Sequence, residues 1–230
     1  MTGLLSRESL GVSQRDEMFT LLATHFEGVT REQFERDLAE KNWVVEIRRG
    51  GRLLGFSTLR VREARHEGRA ITVVYSGDTI VAPEAWGSPA LARSWIAAVN
   101  ELRAPFPDRP CYWLLLTSGF RTYRFLPVFW REFYPRHDTP TPADMQRLIS
   151  ELARMQYGSS YDAAAGIVRF SQPQRLRGRF GVAPPGRSAD KNISFFLARN
   201  PGYTDGVELV CITEISDGNL TRAGRRMVGA

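Results

Sequence analysis

The stretch from Ala70 to Leu102 constrains this chain more than any other. Residues 70–82 form an apolar strand pattern, residues 83–87 a short turn, and Leu91, Trp95, Val99 and Leu102 then recur at helical spacing. Ser88 is a good N-cap, and Pro89 loses nothing at the first helical position, where its missing N–H would be unpaired anyway. A helix that starts at the end of a strand gathers unpaired backbone N–H groups, so this junction is suited to an anionic ligand.

The flanking sequence supplies the rest of an α+β domain. Ser13 to Asp16 can cap a first helix, with Met18, Leu22 and Phe26 on its buried side. Thr30 and Gln33 make a capping box for a second, with Val29 and Phe34 as its staple. Three strands in meander order are predicted next: Trp43 to Arg48, Leu53 to Arg62, and the strand from Ala70. Cys111 to Thr117 is a continuous apolar run of the kind found in buried strands. Aromatics crowd Phe120 to Arg136, where Leu126, Trp130 and Phe133 share a helical face and Pro127 implies a kink or a fresh start. Thr141 caps a further amphipathic helix, and from Gly158 to Ala189 periodicity fails, which reads as a long loop. Two closing strands are expected, at Ile193 to Ala198 and Val207 to Ile215, and the tail from Gly218 is expected to fray.

The formal net charge of +6 favours polyanionic partners, or simply solubility. Two cysteines, Cys111 and Cys211, both in strand-like runs, are too few for a disulfide framework or a zinc motif. Buried free thiols in a reducing compartment are the expectation. No secretory signal and no run near the roughly 20 apolar residues of a membrane span is visible, so a soluble cytoplasmic protein is expected. No Gly-x-Ser-x-Gly elbow, Walker loop or Cys-x-x-Cys pair occurs, which argues against the common hydrolase, NTPase and zinc classes.

This order of elements resembles the GNAT fold of N-acyltransferases. In that family the fourth strand leads into a pyrophosphate loop of Arg or Gln, two residues, Gly, one residue, then Gly or Ala. The equivalent here is Glu84-Ala85-Trp86-Gly87-Ser88-Pro89-Ala90, in which Gly87 matches, Glu84 replaces the basic or amide residue, and Pro89 removes one N–H. The resemblance covers roughly Arg15 to Tyr134 and the closing strands. It implies a GNAT-like core over residues 13–136 and 191–216, with an insertion at 137–190 before the last two strands. The sheet is expected to be mixed and mostly antiparallel, with helices flanking it. The resemblance further implies an acyl donor on phosphopantetheine, carried by coenzyme A or an acyl carrier protein, held at Ile80, Ala82, Trp86, Gly87 and Ser88. Its layout is similar to the divergent branch that uses fatty acyl donors, including N-acyl amino acid synthases.

Acyl transfer to an amine needs a base for the nucleophile, donors for the oxyanion and a proton for the leaving thiolate. Asp78 is the candidate base, a carboxylate in an apolar strand beside Gly77, where a bulge could redirect it; the alternative is a strand-edge aspartate paired locally. Backbone N–H groups around Thr79 to Ala82 are the candidate oxyanion donors. Tyr123 is the candidate acid, and a core aromatic is its competing reading. Phe125, Phe129, Trp130 and Phe133 fit either a channel for a long acyl chain or ordinary core. The arginines at 169, 175, 177, 179 and 187 suit a solvated loop, a carrier-protein surface or the 3'-phosphate of coenzyme A. The leading expectation is an enzyme, an N-acyltransferase of amino acids, peptide amines or small amines that uses no metal. Its competitors are a GNAT-like binding module for a protein or nucleic acid, the latter not expected, and a lipid-binding protein.

Overall fold

The computed structural model describes residues 2–178 and 189–228. A sheet of eight strands runs through the middle, in the order β1 (Thr2–Ser6), β3 (Trp43–Arg49), β4 (Arg52–His66), β5 (Arg69–Val81), β6 (Cys111–Thr117), β10 (Glu208–Glu214), β8 (Ile167–Val168) and β7 (Tyr161–Asp162). Every neighbouring pair is antiparallel except β5 and β6. A separate two-residue ladder joins β2 (Phe26–Glu27) to β9 (Arg175–Leu176). The α+β layout that the GNAT resemblance implies is the one observed.

Strand alternation sorts the core onto two faces. Val45, Leu59, Val74, Trp113 and Leu115 face α3 (Ala90–Arg103), which contributes Trp95, Ile96 and Val99 to their cluster. On the same side lie α4 (Phe120–Tyr123), α5 (Phe125–Phe129), α7 (Lys191–Arg199) and α8 (Arg222–Val228). Their neighbours in sequence face the other way. Val44, Phe56 and Ile80 pack under α1 (Val12–His25) and α2 (Arg31–Ala39), while Val73, Leu114 and Ile212 pack under α6 (Ala143–Tyr157).

Four expectations change. Residues 193–198 are not a strand but the middle of α7, because Asp190 accepts from Asn192 N–H and Ile193 N–H as an N-cap, and Ile193 and Phe196 then bury one helical side. Of the two closing strands that were expected only the second forms, as β10, and it lies inside the sheet between β6 and β8. The helix expected after Thr141 is present as α6, but within the expected long loop residues 161–168 form the β7–β8 hairpin, which extends the sheet beyond β10. The tail forms α8, where the Gly224 Cα packs against the Phe129 carbonyl and leaves no room for a Cβ. The predicted start of α3 is displaced by one residue, with Pro89 at the N-cap and Ser88 Oγ accepting from Ala90 N–H at 3.2 Å.

The parallel pair is what positions a site. β5 and β6 are in register from Thr72 opposite Cys111 to Ser76 opposite Leu115, and there the pairing stops. Beyond that point β5 continues to Val81 bound to β4, and β6 continues to Thr117 bound to β10, so the sheet forks. A bulge begins at the same place, since Ser76 faces Leu59 and Thr79 faces Ser57, leaving both Gly77 and Asp78 opposite Thr58. Bulges sharpen strand twist, which turns the end of β5 away from β6. At the crotch, Trp113 Nε1–H donates to Ser76 Oγ at 2.8 Å, a buried bond that ties the two arms. Ser76→Ala leaves that buried N–H without its acceptor and is expected to cost about 1 to 3 kcal/mol in denaturant unfolding. An unchanged midpoint would show that the tie carries no stability.

Candidate active site

A cavity of about 840 Å³ fills the fork. One end is the turn from β5 into α3. Trp86 stands at its rim, 42% exposed, with its indole N–H donating to Val81 O at 2.8 Å and the Arg121 guanidinium 4.4 Å from the ring centroid. Glu84 points elsewhere and pairs with Arg52 at 2.9 Å. The other end is acidic: Asp78 from β5, Glu208 from β10 and Asp37 from α2 line it together with Lys41, Tyr75 and Tyr157.

The backbone donors follow from the ladder. Ala82 N–H donates to Leu54 O at 2.8 Å and is buried outside the cavity. Donors alternate sides along a strand, so Ile80, opposite Phe56, also turns its N–H to β4, whereas Thr79 and Val81 aim theirs into the fork. Of the two residues expected here, Ile80 lines the cavity and Ala82 does not, and the N–H groups of both are committed to β4. Trp86, Gly87 and Ser88 do line the cavity, but Trp86 N–H is committed to Pro83 O at 3.2 Å and Ser88 N–H to Ala85 O at 3.0 Å. At the start of α3 Ala90 N–H is taken by Ser88, and Leu91 and Ala92, in the first helical turn, have no intrahelical acceptor for theirs. This end of the cavity therefore offers a few backbone donors and Arg121, a basic side chain that the pattern of the turn did not indicate.

Asp78 is where a base would be. Half-buried at the bulge, its carboxyl is pushed up to about 6 by burial, with the Lys41 ammonium opposing the rise. Glu208, which sequence reasoning missed, is pushed up to about 8, again by burial and further by the charge of Asp78. Its one available signal was a carboxylate directly preceding the apolar run of β10. Near neutral pH the pair thus holds one carboxylate and one carboxylic acid.

Tyr123 is not brought to this group. It is fully buried in the aromatic core, its hydroxyl donates to Pro135 O at 2.9 Å, and burial pushes its phenol far above the usual tyrosine range. It sits between Phe133 and Phe196 as packing. Of the four aromatics expected to line a channel, Phe125 and Phe129 reach the cavity, while Trp130 joins Trp95 and Trp113 in a buried cluster and Phe133 is core. The three described members of the basic cluster have partners within the chain: Arg169 pairs with Asp162, Arg175 donates to Asp205 O, and Arg177 donates to Phe26 O beside Glu27. Arg179 and Arg187 lie outside the described residues. Among the described residues no helix is long and apolar enough to cross a membrane.

No family model matches the sequence, and no curated protein matches it. Among solved structures, a conserved protein of unknown function from Enterococcus faecalis aligns at 15% identity and a TM-score of 0.43, over 58% of this chain and 33% of that one. An acyl-CoA N-acyltransferase from Pseudomonas aeruginosa aligns at 18% identity and 0.39, over 50% and 77%. The N-acetylglutamate synthase of Neisseria gonorrhoeae, complexed with coenzyme A and N-acetyl-glutamate, aligns at 14% and 0.41, over 69% and 32%. This chain thus spans about a third of the first and third of these proteins. Likeness of this degree carries no argument about activity.

Proposed function

We propose that this chain is an N-acyltransferase that moves an acyl group from a phosphopantetheine thioester, on coenzyme A or an acyl carrier protein, to an amine. The observation that carries the reading is the fork between β5 and β6, which joins a helix start and an arginine at one end to two carboxyl groups of divided proton affinity at the other. The N–H groups of Leu91 and Ala92, with Arg121, suit the phosphates of the donor. Thr79 and Val81 N–H face the fork, where a thioester carbonyl would develop oxyanion charge.

In the reaction, Asp78 takes a proton from the acceptor amine, whose ordinary value of about 10.4 keeps it charged until a base or a dry pocket acts. The amine nitrogen bonds to the acyl carbon, the carbon–sulfur bond breaks, the thiolate leaves as a thiol with the proton of the acid, and the second proton lost by the nitrogen restores that acid. Glu208, neutral near pH 7, is the acid of the pair in place of Tyr123. Phe125 and Phe129 support an apolar acyl chain, the fatty donor of the narrower reading.

The test is direct. Acyl-CoA and acyl-carrier-protein donors of increasing length, offered with a panel of amines, are expected to release free thiol and yield acyl-amine of matching mass in proportion to protein. The commitment of Trp86 and Ser88 N–H favours a second reading, a GNAT-like module that binds a protein or nucleic acid without chemistry. No thiol from any donor, together with tight nucleic-acid or partner binding, would establish that alternative.

A further inference from the structure

Acyl transfer through Asp78 and Glu208 leaves Lys41 without a task, although it is one of the most deeply placed charges in the protein. It follows α2, is 6% exposed, and lines the fork. Its ammonium donates to Asp37 O at 2.7 Å and lies 5.4 Å from the centroid of the Tyr75 ring. Neither contact supplies a negative charge, and burying an ammonium without one is costly. Burial accordingly lowers its proton affinity, and Asp78 is the first of the carboxylates that act against this, ahead of Asp37 and Glu40.

Gly77 is shaped to this lysine. A Cβ there would lie 2.6 Å from Lys41 Cε and 3.3 Å from Nζ, with Thr58 Oγ1 at 2.8 Å on its other side. No left-handed backbone angle demands glycine at this position, since Gly77 is not among the residues with positive φ. The passing side chain does. Because of the bulge, the residue that must be small for Lys41 directly precedes the residue on which the charge of Lys41 acts.

We infer that Lys41 is a positioning residue: its ammonium, admitted by the missing side chain of Gly77, holds Asp78 as the carboxylate that accepts the proton of the acceptor amine. The inference rests on the acyl-transfer reading for its catalytic meaning. Other titratable or charged groups also line this cavity, His25 from α1, Asp37 from α2 and Glu40 just after it, Tyr75 from β5, Arg121 from α4, Arg124 just after it, Tyr157 from α6 and Glu208 from β10, and the charge of Arg60 on β4 acts on Lys41 as well. Of the charges that act on Asp78, that of Lys41 favours the carboxylate and that of Asp37 opposes it.

The experiment is a carbon-13 NMR titration of the aspartate carboxyls in the full chain, with Asp78→Asn assigning the resonance. In Lys41→Met and in Gly77→Ala the Asp78 midpoint is expected to rise by about one unit or more, a tenfold change in proton affinity. The rising limb of the rate profile is expected to move with it. Gly77→Ala displaces the ammonium without removing it, so it decides the question if Lys41→Met does not fold. Midpoints within about 0.3 unit of the unmodified protein in the folded variants overturn the inference. Failure of the acyl-transfer reading is told apart by the absence of thiol release in the unmodified protein, because the titration needs no turnover.

Discussion

Asp78→Asn is expected to lower turnover by roughly a hundredfold to a thousandfold and to abolish the acid limb of the rate profile. In the unmodified protein that limb rises with pH as the carboxyl ionises and levels off above about 6, the value to which burial pushes Asp78. Asparagine keeps the shape and the hydrogen-bonding edge but takes no proton, so the residual rate depends on amine that is already neutral in solution. The residual activity should therefore climb with pH only until Glu208, the acid of the pair, loses its proton at or somewhat below about 8, since the charge of Asp78 that helps raise it is gone. Steady-state rates between pH 5 and 9 decide it; a variant within threefold of the unmodified protein, with its limb intact, would make Asp78 structural.

Glu208→Gln carries the second large effect, on stability. The carboxyl lies at about 8 in the folded chain against an ordinary 4.5, so the native state holds this proton more tightly than the unfolded state does. The neutral, buried form contributes its full stability below about 4.5, and that contribution is lost as pH rises through the window from 4.5 to 8. Glutamine mimics the neutral form. The variant should match the unmodified protein at pH 5 and exceed it at pH 9 by about 1 to 3 kcal/mol, or about 3 to 8 °C in Tm. Melting curves at the two pH values test this. Equal or lower stability at pH 9 would mean that Glu208 bears its charge at no cost, and the division of proton affinity between the two carboxyls would fall with it.

Local chemistry made much of this fold readable. The Thr30 cap is present, its Oγ1 accepting from Gln33 N–H at 3.2 Å, and the turn at Glu67 and Gly68 has the positive φ angles of a tight hairpin. The bulge beside Asp78 was legible too, because glycine next to a carboxylate breaks the packing of an apolar strand unless the backbone bends there. What escaped was decided at a distance. Thr2–Ser6 carries no strong pattern, yet it pairs along β3 from Trp43 to Ile47, where the exposed edge offers it a ladder. The apolar run within α7 reads equally as strand or helix until Asp190 is seen capping it. Tyr123 and Glu208 were misjudged for one reason: which side of a strand or helix meets a cavity depends on elements far away in sequence.

The bulge has a meaning beyond catalysis. Thr79 would face Ser57 whether one or two residues stood opposite Thr58, so the ladder on either side keeps its register regardless. The β4–β5 pairing thus has a single surplus position, and it lies where Gly77 admits the lysine and Asp78 enters the cleft. The carboxylate proposed as the proton acceptor thus stands on a surplus position of the ladder, one that a single-codon insertion or deletion adds or removes with the backbone pairing undisturbed.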